Sequence, residues 1–345
     1  MDRKMNRMVI IGFLFVSLGL VMGSNVVLGA ETPEEFFRGK TIHWIVADGA
    51  SGGSGLDLNA RTIAPFLEKE TGARVRIENR KTDEGVNYIY NQGTRDGLTL
   101  GTKSSDSLIG NDILKAPGLQ YEADKFNFVA DVYPSVKVFQ ISPKLPYKTL
   151  DALRKAKGLK AGGTSAKGTF ALGSAVMFEI LHLDGKFITG FENKKSLVLA
   201  LARGEVDFMV PSDSSAMRDE KDGYVINLFA LGNKRSSAVP HVPSLSELGV
   251  KIPKEMESVF NFATTGGQPV VLPPGVPPER VEYLRKVFQR LSNNKDLRKA
   301  MATLMGTSEN FVPGQELQQE VVGIKADKEL AIKLDVLFKK YSVVR

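Results

Sequence analysis

The loop Gly52-Gly-Ser-Gly55 lies between an apolar run and a helical pattern, where backbone amides can approach an anion. A dinucleotide fingerprint starting from Gly53 and Gly55 needs a third glycine at position 58, and Leu58 stands there. Gly163-Thr-Ser-Ala-Lys-Gly168-Thr169 resembles a phosphate loop, but Lys167 precedes the second glycine where the Walker pattern needs it to follow. Neither loop supports a nucleotide enzyme. Both keep the physical core of such signals: glycines and hydroxyls ahead of a helix present N–H donors and the positive end of the dipole. That suits a carboxylate as well as a phosphate, although each glycine serves equally in a tight strand-to-helix turn.

The remaining chemical inventory is sparse. His43, His182 and His241 are far apart and share no ligand spacing, so no metal site is expected. There is no cysteine, which excludes disulfides, thiolate ligands, a cysteine nucleophile and a lipid-modified cysteine. No Gly-x-Ser-x-Gly elbow occurs, and no Ser or Thr has an evident base beside it. Asp219 and Glu220 fall in Arg218-Asp-Glu-Lys-Asp222, which reads as a solvated turn. The sequence offers no argument for catalysis and none for a cofactor. Basic residues are scattered among acids without a basic tract, so no nucleic-acid partner is expected; a mildly positive field suits anionic ligands.

The elements that must position these loops alternate. Thr41-Ile-His-Trp-Ile-Val46 is strand-like, and after the first glycine loop Leu56, Ala60, Ile63 and Leu67 recur at helical spacing until Thr71-Gly72. Strand-like Arg74–Glu78, a helix near Val86–Thr94 and strand-like Leu98–Gly101 complete a βαβαβ pattern, which predicts a mostly parallel sheet. A second α/β series runs from Lys137-Val-Phe-Gln-Ile141 to Val225–Leu231. Val259-Phe-Asn-Phe-Ala263 also reads as a strand, and Pro277 and Pro278 open a helix with Val281, Leu284, Phe288 and Leu291 on one face.

Ahead of this pattern, Arg3, Lys4 and Arg7 precede fifteen uncharged residues from Met8 to Met22, then small and polar residues to Ala30. This is the order of a cleavable secretory signal, and the apolar stretch is short against the roughly 20 residues that span a bilayer. Cleavage is expected near Ala30, with Gly23 an earlier choice. Removing residues 1–30 takes three basic residues and one acid from a net charge of +7, leaving +5. The remaining chain exceeds what one core usually serves, so two lobes are expected.

The order of motifs resembles the solute receptors of tripartite tricarboxylate transporters, the Bug family. The matching segments are the glycine loop leading into Asp57-Leu-Asn-Ala-Arg61, Ile77-Glu-Asn-Arg80, Asp96-Gly-Leu-Thr-Leu-Gly101, Ala202-Arg-Gly-Glu-Val-Asp207, Val239–Gly249 and Pro274-Gly-Val-Pro-Pro278. The resemblance implies a type II periplasmic-binding-protein fold, an α/β architecture of two lobes with a ligand cleft between them. With the signal at 1–30 given by the pattern above, it implies a first lobe from 31–136 and 250–345, and a second lobe from 137–249. Carried over residue by residue, the cleft is lined by Ser51, Gly52, Gly53, Ser54 and Asp57, by Thr102, Ser104 and Ser105, by Thr164, Ser165 and Thr169, by Phe191, and by Ser212, Asp213 and Ser214.

The implied function is a periplasmic, soluble, monomeric receptor that captures a small organic carboxylate and passes it to membrane permease subunits. The same fold could instead present its ligand-bound form to a signalling system. An exported α/β hydrolase would need a nucleophile the sequence lacks. Asp48 stands where the family has an apolar residue or proline, which argues against a highly charged ligand; Phe191 replaces a tyrosine, and Phe260 or Phe262 a tryptophan, leaving Trp44 as the only one. These replacements hint at a ligand with some apolar body.

Overall fold

The computed structural model describes residues 31–49, 52–164, 168–306 and 309–341; the expected export segment lies outside them. The first lobe opens with α1 (Pro33–Phe37), β1 (Thr41–Ala47), α2 (Gly55–Thr71), β2 (Arg74–Arg80), α3 (Thr82–Gln92), β3 (Thr99–Thr102), α4 (Ser105–Ile113) and β4 (Asn127–Asp131). β1 pairs in parallel with both β2 and β3, placing Trp44 opposite Ile77 and Leu100. The expected register of α2 holds: Leu56, Ala60, Ile63 and Leu67 are all buried. Ser54 caps its start, and Gly72 ends it in the left-handed conformation at φ +69°, which costs glycine no Cβ clash.

The chain crosses through β5 (Ser135–Val136) into the second lobe, formed by β6 (Val138–Ile141), α5 (Leu150–Lys155), β7 (Leu159–Gly162), α6 (Thr169–Ile180), β8 (Gly185–Ile188), α7 (Lys194–Arg203), β9 (Phe208–Met209), α8 (Asp213–Lys221) and β10 (Ile226–Ala230). α9 (Glu257–Thr264) packs on α6, and the chain returns through β11 (Thr265–Gly266), which pairs antiparallel with β5. The first sheet is completed by β12 (Pro269–Leu272) and, after α10 (Pro278–Ser292) and α11 (Lys295–Met305), by β13 (Val312–Pro313). α12 (Gly314–Ala326) packs on β4, whereas α13 (Lys328–Tyr341) packs on α6, β8 and α9.

The two sheets have the orders β13-β4-β12-β3-β1-β2 and β10-β6-β9-β7-β8. Neither is as parallel as the βαβαβ pattern predicts. β12 enters the first lobe from the crossover and runs antiparallel to both β3 and β4, and β6 enters the second lobe and pairs antiparallel with β9 and β10. Each crossover thus inserts one reversed strand.

Two local expectations are corrected. Val259–Ala263 lies in α9, where Val259, Phe260, Phe262 and Ala263 are buried; a short apolar run fits either state, and packing on α6 selects the helix. Arg218–Lys221 is the last turn of α8, not a solvated turn. Asp219 there is buried and pairs with Lys194 Nζ at 2.8 Å. No described helix is long and apolar enough to cross a membrane.

Candidate functional site

The first glycine loop ends on Ser54, whose Oγ accepts from the amide of Asp57 at 3.3 Å. Gly52 and Gly53 have φ of +67° and +78°, which L side chains rarely adopt, so glycine is required for the turn into α2. Asp57 is buried and serves the loop itself. Its carboxylate accepts from Gly53 N at 2.8 Å, Asn79 Nδ2 at 2.9 Å and Arg61 Nε at 3.0 Å. Burial alone would raise the Asp57 carboxyl, but these donors hold it below the usual range. Ser51 and Ser165 lie outside the described residues.

The end of β3 divides its side chains between core and cleft. Thr102 is buried and its hydroxyl donates to Pro269 O at 2.8 Å, so it ties β3 to the neighbouring β12. Lys103 is also buried, with its ammonium 3.8 Å from Asp48 Oδ1. The acid expected to disfavour charged ligands therefore has a cation beside it. Ser104 precedes α4, and the Ser105 amide donates to Gly267 O at 3.0 Å, joining α4 to the return crossover.

Next to them lies a buried ion pair that sequence reasoning missed. Lys137 Nζ sits 2.8 Å from Asp106 Oδ2, with side chains only 5% and 1% exposed. Burial pushes the Asp106 carboxyl up, but Lys137's charge and hydrogen bonds from Lys137, Ser104 and the Ser107 amide bring it below the usual range. The signal was present as a lone lysine in the apolar run from Ser135 to Ile141, since a cation buried in a strand needs a counter-charge.

A third carboxylate staples the crossovers. Asp131 Oδ1 accepts from Tyr133 N at 3.0 Å on the outgoing chain and from Gln268 N at 2.7 Å on the returning chain. Gly267 permits this approach, because a Cβ there would stand 2.0 Å from Asp131 Oδ2. Burial pushes the Asp131 carboxyl up to about 6.

In the second lobe Thr169 opens α6, and its Oγ1 lies 3.1 Å from Ser107 Oγ of α4, a hydroxyl contact between the lobes. α6 differs from α2, α4 and α8 in carrying no acid in its first turn. Thr164, after β7, is half-buried. Phe191 packs with Phe170 and Ile188 against the apolar cluster around Leu197 and Leu201.

Ser212 precedes α8 and bridges the backbone of Lys137. Asp213 and Ser214 are buried, and Asp213 accepts from Tyr133 Oη at 2.5 Å, Ser236 Oγ at 2.7 Å and Ser214 N at 2.8 Å. Burial pushes its carboxyl up, and the surrounding donors offset only part of that. Further along α8, Arg218 is half-buried and reaches the first lobe, with Nη1 3.9 Å from Met305 Sδ in α11. Sequence reasoning missed Arg218 because it stands among the charges of the presumed turn.

The N-terminus of α4 in one lobe thus meets that of α6 in the other, the starts of α4 and α8 both contact Lys137 of the crossover, and the start of α2 faces Arg218 in the last turn of α8. Such an arrangement has the dipoles and hydroxyls to hold an anion, but three of the four termini already carry an internal aspartate. Among the described residues there is no group of three or more His, Cys, Asp or Glu that could hold a metal ion.

Residues 59–325 match the sequence model of the tripartite tricarboxylate transporter family receptor. Among solved structures the chain is similar to MatC from Rhodopseudomonas palustris with bound malate, at 20% identity and a TM-score of 0.68, covering 85% of this chain and 99% of that one. A second R. palustris protein, with adipate, has 18% identity and a TM-score of 0.71 over 86% of this chain and 97% of that one. The periplasmic binding protein BugD has 19% identity and a TM-score of 0.66 over 88% and 97%. These likenesses show the two-lobed periplasmic-binding-protein fold. No curated protein sequence matches the chain.

Proposed function

The chain belongs to the tripartite tricarboxylate transporter receptor family, and from that premise we propose that it captures a small organic carboxylate outside the cytoplasm and delivers it to the permease subunits of such a transporter. The observation that carries this reading is the family match across both lobes, joined to a cleft where helix N-termini from each lobe face one another. The relatives with malate and adipate suggest mono- or dicarboxylates as the ligand class. The glycine loop at 52–54, Ser104, Ser105, Thr164 and Thr169 are the proposed lining. Asp57 acts by fixing the loop, and Asp213 by shaping the start of α8.

The family is one of receptors, and this chain is read as a receptor without catalysis. Export is assigned to residues 1–30, which carry the pattern of a cleavable signal; the mature protein is taken to be a soluble periplasmic monomer. Ligand capture draws the lobes together, which excludes water and strengthens each hydrogen bond to the anion.

Calorimetry and thermal-shift measurements with succinate, malate, adipate, benzoate, octanoate and citrate test the reading. At least one of these should bind with a dissociation constant of about 10 μM or tighter, equivalent to about 7 kcal/mol. Absence of heat and of any shift across the whole series would sink it.

A further inference from the structure

Gly55, the first residue of α2, leaves a notch where a side chain would begin. A Cβ at this position would stand 3.6 Å from Gln268 Nε2, 3.7 Å from Arg218 Nη2 and 3.8 Å from Met305 Cε. Four parts of the fold converge there: α2 and α11 of the first lobe, α8 of the second lobe, and the return crossover.

The polar groups around the notch are donors. Gln268 is 8% exposed, and its Oε1 accepts from Asn59 Nδ2 at 2.7 Å, which turns Nε2 toward the notch. Nε2 donates to none of the described residues. Arg218 has only Ser215 Oγ at 3.5 Å and Met305 Sδ at 3.9 Å as hydrogen-bonding neighbours among the described residues. It forms no ion pair with any of them, in contrast to Lys103 with Asp48, Arg61 with Asp57 and Lys137 with Asp106. The amides of Gly55 and Leu56 belong to the first helical turn, which has no intrahelical acceptor for them. The Asp57 carboxylate is turned away, toward Gly53 and Asn79.

We infer that this notch receives a carboxylate group of the ligand, and that Arg218 is the specificity-determining residue that makes the cleft select an anion. The inference rests on the receptor reading above. The Gln268 amide, on a buried side chain, donates to no described residue, and the charge nearest Arg218, Asp219, is already paired with Lys194 at 2.8 Å. Both groups lack the close acceptor a carboxylate supplies, and a guanidinium takes a carboxylate through paired hydrogen bonds. Because Arg218 rides on the second lobe and Gly55 on the first, a carboxylate held between them ties capture to closure.

The test is calorimetry on the expressed full chain and on R218M, R218K and G55A, with succinate, malate, adipate and octanoate as probes. A methyl at position 55 makes only ordinary contacts with its three neighbours and needs no unusual backbone angle, so G55A keeps the fold while filling the notch. R218M should weaken every probe that binds the parent by about 10- to 100-fold, the range of a charge-assisted hydrogen bond. R218K should fall between, and G55A should lose at least about tenfold. Thermal unfolding checks each variant, and if R218M fails to fold, G55A decides alone.

Parent binding with R218M and G55A both within twofold overturns the inference and leaves the receptor reading standing. Loss in R218M with G55A unchanged also overturns it, since the cation would then act without the notch. A folded parent that binds none of the probes overturns the inference together with the carboxylate reading it rests on.

Discussion

Asp106 and Asp213 occupy equivalent places in opposite lobes. Each stands in the first turn of a helix, α4 or α8, and each is buried against the outgoing crossover between Tyr133 and Lys137. Burial favours the neutral carboxyl at both sites. At Asp106 the Lys137 ammonium reverses that preference and holds the group ionised. Asp213 has two hydroxyls and two backbone amides but no paired cation, and burial prevails. Neutral donors moderate a desolvation penalty, whereas a contacting cation changes its sign.

The sharpest way to break this comparison is Lys137→Met. It leaves Asp106 buried without its counter-charge, and denaturant unfolding at pH 7 should show a loss of about 3–5 kcal/mol. Combining it with Asp106→Leu should restore most of the loss, because the uncompensated charge is gone. A single variant no worse than a surface substitution would show that the pair is not what holds this junction.

Asp131 extends the comparison to a carboxylate that staples both crossovers without a cation. Its folded pKa, about 6, lies above the ordinary 3.8, so its protonated form favours the fold. That contribution is fully present below the ordinary value and is lost as the pH rises through about 6. The melting temperature should therefore gain less on going from pH 7 to pH 5 in Asp131→Asn than in the parent. The amide oxygen still accepts from Tyr133 and Gln268, so an identical gain in both proteins would assign the titration elsewhere. Asp57, Asp106, Asp112 and Asp124 are held low and give up their stabilisation only at more acidic pH, whereas Asp213, Asp219 and Glu320 are raised by burial and remain in both proteins, so the difference between parent and variant reads Asp131.

The smallest effect is expected for Asp213→Asn. An amide keeps the acceptor for Tyr133 and Ser214 and removes a costly charge, so stability at pH 7 should stay within about 1 kcal/mol. A loss of several kcal/mol by the same unfolding measurement would mean that Asp213 is ionised and needed as such.

What the sequence disclosed follows a physical pattern. The register of α2 was legible because Leu56, Ala60, Ile63 and Leu67 repeat at the helical period and Gly72 stops them, both local signals. The reversed strands β6 and β12 were not, because their direction depends on where the chain enters each lobe. Gly52, Gly53 and Ser54 were identified as a turn into a helix, but not all of its donors are free: the Gly53 N–H already donates a hydrogen bond to the Asp57 carboxylate. Thr102 matched a family position yet faces Pro269, since one step along a strand exchanges cleft for core. Lys137, Gln268 and Arg218 were missed because each acquires its role from a partner distant in sequence.

The reversed strand β12 also sets the order in which the chain can gain entropy losses and contacts. It lies between β3 and β4, so the first sheet stays split until the whole second lobe has been synthesised. The second sheet uses one uninterrupted stretch, β6 to β10, and can form from nearer contacts. Once α9 packs onto it, the Lys137 amide lies 3.2 Å from Thr264 O, and a loop of more than a hundred residues has shrunk to a single hydrogen bond. Closing the first sheet then costs only the short remaining connection. The inserted lobe is thus the splint across which the interrupted one is set.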